Sequence, residues 1–248
     1  MTAGRLRLDQ ALVARGLAPS RARAQQLIEG GFVSIEDTVI TKTSSLISDT
    51  QQITVSNAAG RYVSRAAAKL IAGLDAFRID PAGKACLDIG ASTGGFTQVL
   101  VERGAKTVIA IDVGHGQMHE TIASLPQVVS IEGLNARDLN EEHLQGHEIA
   151  LVVSDVSFIS LKLALPPALD LAASGASLVA LIKPQFEAGR GNIGKGGIVR
   201  DQTVRKAVCA EISRWLTQDM GWQVLGLVPS PVMGSDGNQE YLIAARKP

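Results

Sequence analysis

Apolar positions along the chain fall into two textures. Over residues 5–57 they are sparse: Leu8, Ala11 and Leu12 share one face of a helix that stops at Gly16. Ser20 is placed as the N-cap of a second helix, with Ala24, Leu27 and Ile28 on one face and Gly30-Gly31 as the stop. Short strand-like runs follow at 32–35, 39–40 and 52–55. Two short helices on a small sheet predict a compact α+β module over residues 1–57. Ser56-Asn-Ala-Ala-Gly60 reads as the start of a linker, taken here as 58–63. Ser64 is then expected to cap a helix running to about Phe77.

Beyond Pro81 the texture changes to apolar runs alternating with amphipathic segments. The runs are 85–89, 107–112, 128–132, 149–155, 177–182, 223–228 and 241–245. Helices are expected near 96–103, 117–124, 161–171 and 202–218. Strand and helix in turn predict an α/β fold over 64–248 with a mainly parallel, doubly wound sheet. The last two runs leave no room for a helix between them and should pair antiparallel at one edge. Seven strands in that arrangement are the outline of a Rossmann-like class I methyltransferase, although an outline does not name a function.

Charge changes this picture a little. The chain has 24 basic and 24 acidic residues and a net charge of +0, unevenly spread. Nine Lys or Arg face five Asp or Glu from Met1 to Lys69, against fifteen and nineteen beyond. An anion-seeking N-terminal part follows. Cys86 and Cys209 have no Cys or His nearby at metal-ligand spacing, so they read as buried thiols and no metal site is expected. No apolar run is long enough to cross a membrane, and no signal peptide is evident, so a soluble cytoplasmic protein is expected.

The first chemistry lies at Asp88-Ile-Gly90-Ala91-Ser92-Thr93-Gly94-Gly95-Phe96, a strand end, a glycine-rich turn and a helix start. Its G-x-x-x-G-G spacing is not the G-x-G-x-x-G of dinucleotide binders. Amides at a helix N-terminus suit an anion such as the carboxylate of S-adenosylmethionine. Asp112 ends the next strand, about 20 residues on, where an acid can take ribose hydroxyls. Asn135 and Asp138 follow the third strand and are placed at the adenine edge, with a plain loop role as the alternative.

Two further strands end in reactive side chains, Asp155 and Lys183, which should border the same site because ligands sit outside the carboxyl ends of such strands. Lys69 and Glu240 complete a Lys-Asp-Lys-Glu set. A ribose 2′-hydroxyl is a poor nucleophile, so alignment plus help with its proton is what such a set offers. The expectation is Lys183 as base, with Lys69, Asp155 and Glu240 positioning. A structural ion-pair network is the alternative.

These residues carry a resemblance. Arg7-Leu-Asp-Gln-Ala-Leu, Ser20-Arg21 and Ala24-Gln-Gln-Leu-Ile resemble an S4 RNA-binding domain. Tyr62-Val-Ser-Arg65, Leu87-Asp-Ile-Gly-Ala-Ser-Thr-Gly-Gly-Phe-Thr97, Ser154-Asp-Val-Ser-Phe158, Ile182-Lys-Pro-Gln-Phe-Glu187, Lys195-Gly-Gly-Ile-Val199 and Gly237-Asn-Gln-Glu-Tyr241 resemble FtsJ-type methyltransferases. Together they resemble the TlyA, or hemolysin A-like, 2′-O-ribose RNA methyltransferases over essentially the whole length. The resemblance implies S-adenosylmethionine as cofactor and Lys69, Asp155, Lys183 and Glu240 as the catalytic tetrad. It also implies cytidine ribose in ribosomal RNA of one or both subunits as substrate, and an effect on capreomycin-type antibiotic sensitivity. Two departures stand out: Ile35-Glu36-Asp37-Thr38 replaces a usual Val-Asn-Gly type turn, and Ala66-Ala67 stands where glycines are common. The chain's end at Pro248, without the longer tail of members acting on both subunits, leans the expectation towards large-subunit RNA.

Arg5, Arg7, Arg15, Arg21, Arg23 and Arg65 are expected to contact RNA phosphates, with Arg190 and Lys195 in a glycine-rich loop that closes over RNA. Rival readings are a non-catalytic RNA-binding or ribosome-assembly factor and, following the name hemolysin, a membrane-active protein. An NAD-dependent oxidoreductase is weaker because the glycine spacing is wrong.

Overall fold

A computed structural model describes residues 5–36, 38–56, 61–234 and 237–248, and of Arg190 and Lys195 the backbone only. Their contacts divide into two compact units. One comprises the described residues through Arg65 and Gly237, the other runs from Ala66 to Gly234 and from Asn238 to Pro248.

The first unit contains β1 (Leu6–Arg7), α1 (Leu8–Ala14), α2 (Arg21–Glu29), β2 (Val33–Ile35), β3 (Thr38–Val39), β4 (Leu46–Ile47) and β5 (Ile53–Val55). The helical spacing holds: Leu8, Ala11 and Leu12 from α1 meet Ala24, Leu27 and Ile28 from α2 in one apolar cluster with Phe32, Val33 and Ile47. Ser20 caps α2 by accepting from the Arg23 amide at 3.2 Å. The three-stranded sheet runs β3-β2-β5, and β1 pairs with β4 in a small ribbon absent from the sequence reading. Two-residue strands carry too little periodicity to be seen. Glu36 takes a left-handed φ of 47° at the acidic turn, while Asp37 lies outside the described residues, as do 58–60 of the expected linker.

The second unit contains α3 (Ala66–Phe77), β6 (Ala85–Ile89), α4 (Gly95–Glu102), β7 (Thr107–Asp112), α5 (Glu120–Ala123), β8 (Val128–Glu132) and β9 (Ile149–Ser154). There follow α6 (Leu161–Ala164), α7 (Pro166–Leu171), β10 (Ser177–Ile182), α8 (Pro184–Glu187), α9 (Gln202–Gln218), β11 (Gln223–Pro229) and β12 (Tyr241–Arg246). The sheet order is β11-β12-β10-β9-β6-β7-β8. From β10 to β8 it is parallel, and β12 runs antiparallel to both its neighbours. This is the mainly parallel, seven-stranded α/β architecture expected. β10 is buried along its whole length because helices cover both faces of the sheet centre, whereas β8 and β11 at the edges are partly exposed.

Two expected helices differ. The segment 161–171 is two short helices, because Pro166 and Pro167 lack the amide hydrogens a continuous helix would use. Of 117–124 only 120–123 is helical: the amides of Gly116, Gln117 and Met118 all turn to the Glu132 carboxylate.

Candidate active site

The site is built at the carboxyl ends of the parallel strands. β6 runs into the glycine turn, β7 ends in Asp112, β9 leads into Asp155 and β10 into Lys183. The antiparallel direction of β12 brings Glu240 to the same edge, since Tyr241 pairs with Ile182. Lys69 comes from the first turn of α3 and is buried.

These last four meet. The Lys69 Nζ lies 2.7 Å from Glu240 Oε2 and 3.5 Å from Asp155 Oδ2, and the Lys183 Nζ lies 2.6 Å from Asp155 Oδ1. Lys183 directs its hydrogen bond to Ser157 Oγ at 2.7 Å, so its contact with Asp155 is an ion pair rather than a well-aimed bond. Burial alone would raise the Asp155 carboxyl; the Lys69 and Lys183 ammonium groups outweigh it and hold it below the ordinary carboxylate value. Two ammonium groups and two carboxylates leave the cluster formally neutral, which is what permits four charges at this depth.

Beside it opens a cavity of about 420 Å³, a size suited to a cofactor. Its polar rim includes Ser92, Asp112, Gln117, Asn135, Asp155 and Ser157, and its apolar walls include Ile111, Val113, Leu134, Val156 and Ile159. The glycine turn borders it through Gly90. There φ is +83°, and a Cβ would stand 3.1 Å from the Asp155 carbonyl oxygen, so only glycine lets the turn lie against the end of β9. Gly94, with φ +91°, starts α4 in the same left-handed region.

The turn does not offer its amides as freely as expected. Gly90 and Ala91 donate to the Ile111 carbonyl, Gly94 to that of Ala91, and Ser92 to Asp112 Oδ2 at 2.8 Å. Among the described residues this leaves the amides of Thr93 in the turn and of Gly95 and Phe96 at the head of α4. Asp112 also accepts from the Gly114 amide at 2.8 Å, tying the turn to the loop after β7. Asp88 lies behind the turn, fully buried: Oδ2 accepts from Thr97 Oγ1 at 2.7 Å, while Oδ1 has no partner. That burial pushes its carboxyl up to about 7, against the pull of Thr97. Asn135 lines the cavity; Asp138, in the short turn beyond it, is exposed and does not. Thr93 is half-buried, and Ala91 and Phe96 pack inward.

Three residues at this site escaped the sequence reading. Gln117 and Ser157 line the cavity, and Phe158 at its rim is 91% exposed with φ 64°, its ring centroid 5.2 Å from that of Phe186. An exposed aromatic held in the left-handed region is strained, and strain of this kind gathers at functional sites. Glu187 fixes its loop by accepting from Ser160 Oγ at 2.6 Å and the Leu161 amide at 2.8 Å. The signal for Ser157 and Phe158 lay in Ser154-Asp-Val-Ser-Phe158, but strand-end logic singles out only Asp155.

The other expected RNA contacts scatter. Arg15 spends its guanidinium on the carbonyls of Ser48, Asp49 and Gln51, as a strut of the first unit. Arg65 is half-buried, its side chain lying over Gly31. Arg5 is exposed, Arg23 bonds to Gln26, and Arg7 and Arg21 converge on Asp9. The glycine-rich loop forms two short 3-10 turns, 190–192 and 195–197. It is anchored by buried Asn238, which accepts from the Val199 amide and donates to the Gly197 carbonyl. Cys86 and Cys209 are free and buried, and burial pushes their thiols up to about 12 and about 11.

Comparison with known proteins assigns the chain to a family. Residues 62–247 match the FtsJ-like methyltransferase family and residues 6–53 the S4 domain. The chain belongs to the FtsJ-like methyltransferases. Within that family it is 45% identical to the 16S/23S rRNA (cytidine-2′-O)-methyltransferase TlyA of Mycobacterium tuberculosis, over 98% of this chain and 91% of that one. It is 42% identical to Hemolysin A of Brachyspira hyodysenteriae, over 96% and 98%. A solved structure from Streptococcus thermophilus named as a hemolysin superposes with a TM-score of 0.78 at 35% identity, over 99% of this chain and 90% of that one. In this methyltransferase no described helix is long and apolar enough to cross a membrane.

Proposed function

We propose that this protein transfers a methyl group from S-adenosylmethionine to the 2′-hydroxyl of a cytidine ribose in ribosomal RNA. The observation that carries the reading is the buried Lys69–Asp155–Lys183–Glu240 cluster opening onto the cavity, in a chain 45% identical to an enzyme named for this reaction. The cavity fits the donor. Apolar walls suit the adenine, Asp112 the ribose, and Asp155 a cationic ligand. When bound, S-adenosylmethionine supplies an electrophilic methyl on a sulfonium.

The chain's own residues then align the acceptor. Lys183, held by the cavity-lining Asp155 and Ser157, would orient the 2′-oxygen through an N–H. Lys69 and Glu240 fix the far side of Asp155. The Lys183–Asp155 pair would take up the proton that the hydroxyl gives up as the methyl passes from the sulfonium sulfur, whose bond to it breaks, to the ribose oxygen. The burden is mostly positioning, because a methylated hydroxyl loses its proton readily. Phe158 offers a stacking face for the target base, and Arg5, Arg7, Arg21 and Arg23 of the S4 domain hold the RNA backbone. Such a role places the enzyme with ribosomal subunits in the cytoplasm.

The test is transfer of labelled methyl to separated large and small ribosomal subunits, followed by digestion to nucleosides. The expected product is 2′-O-methylcytidine, absent with Lys183→Ala. A protein that binds cofactor and RNA yet labels neither subunit would be a binding or assembly factor instead.

A further inference from the structure

Asp9 is, among the described residues of the first unit, the one fully buried ionisable side chain. A buried carboxylate is costly unless matched, and three side chains together with the Gln10 amide match it. Arg7 grips it with two bonds, Nε to Oδ1 and Nη2 to Oδ2, both 3.0 Å; Arg21 Nε reaches Oδ2 at 2.9 Å and Gln25 Nε2 at 3.3 Å. The Arg7 bond above all holds the Asp9 carboxyl far below its usual range.

The arrangement is over-supplied with positive charge and with donors. Two guanidinium groups face one carboxylate. Arg21 commits only Nε, and the Arg7 and Arg21 side chains remain 37% and 54% exposed. Arg21 also opens α2, where the helix dipole disfavours a cation, and no acid occupies that first turn to offset it. A purely structural tie between α1 and α2 needs neither the surplus charge nor the outward-facing donors. We propose that Asp9 is a positioning residue for RNA binding: it locks the Arg7 and Arg21 forks side by side so that their free N–H groups grip one RNA phosphodiester. This rests on the reading of the chain as an RNA methyltransferase and concerns its S4 domain alone.

The experiment is fluorescence-anisotropy binding of the full chain to a labelled ribosomal RNA fragment over a range of salt. Asp9→Asn makes the protein more positive by one charge, so a charge-only role predicts tighter binding. Positioning predicts binding weaker by about tenfold near physiological salt, as expected for losing one charge-assisted bond. The slope of log affinity against log salt should also become shallower by about 0.7, the value for one phosphate contact on a single strand. Arg7→Lys and Arg21→Lys keep the charge but lose the fork, and should weaken binding similarly. If Asp9→Asn fails to fold, the two Lys variants decide. Unchanged or tighter binding with an unchanged slope overturns the proposal; a wild-type chain that binds no RNA overturns the functional reading instead.

Discussion

Lys69 and Lys183 occupy one cluster but should fail in different ways when each is replaced by Met. Lys69 pairs with Glu240, which is 2% exposed, whereas Lys183 pairs with Asp155, which retains Lys69 at 3.5 Å when Lys183 is lost. Removing one partner of a buried pair costs about 3–5 kcal/mol, because the other charge stays behind uncompensated. Lys69→Met should approach that figure and Lys183→Met about 1–2 kcal/mol, the order of a charged hydrogen bond. For a unit of this size about 1 kcal/mol shifts Tm by about 2–4 °C. The expected falls are thus roughly 6–20 °C for Lys69→Met and roughly 2–8 °C for Lys183→Met. Both should lose about 10²-fold or more in methyl transfer.

The sign of the pH effect gives a further check. In Lys69→Met the Glu240 carboxylate is left buried without its counter-charge, and burial disfavours the ionised form, so the penalty grows as pH rises and shrinks as pH falls. The Tm deficit should therefore narrow at pH 5 relative to pH 8. The double variant Lys69→Met/Glu240→Leu removes both charges and should regain most of the stability without regaining activity. Differential scanning calorimetry and the labelled-methyl assay on the same preparations read both outcomes. Equal Tm losses for the two single variants, or activity restored in the double variant, would refute the reasoning, the second by reducing the cluster to scaffolding.

Asp88→Asn should remove a pH dependence from the cofactor-free protein. The folded carboxyl is raised to about 7, so the stability it contributes is full below the ordinary aspartate range and is lost as pH rises through about 7. Thermal scans should show the variant gaining on wild type between pH 5 and 8; a constant difference would mean that Asp88 does not titrate there. Phe158→Ala should leave Tm within about 2 °C, since the ring is 91% exposed, yet raise KM for RNA several-fold with cofactor affinity little changed. A variant with unaltered steady-state kinetics would remove Phe158 from the substrate path.

Much of the second unit was legible in the sequence because its determinants are local. A strand buried on both faces must be an unbroken apolar run, and Ser177–Ile182 is one; a glycine turn followed by Phe96 and Thr97 must start a helix close to a strand end. The order of such units fixed the parallel sheet, and the shortness of the final connection fixed the antiparallel partner. Asp155 and Lys183 were placed at the site for the same reason: they follow directly on strand ends.

What only the tertiary structure decided are matters of who meets whom. Lys69 precedes Glu240 by 171 positions, and their 2.7 Å contact exists because β12 enters the sheet against the direction of β10 while α3 packs on both. Nothing in either local sequence encodes that distance. The same holds for Arg15 and Arg7, which look alike as exposed cations on a helical pattern. One is consumed by three carbonyls of a distant turn, and the other is aimed by Asp9. A side chain's chemistry is written in its identity, but its partners, and hence its charge state and its use, are set by long-range packing that brings desolvation and opposite charge to the same point.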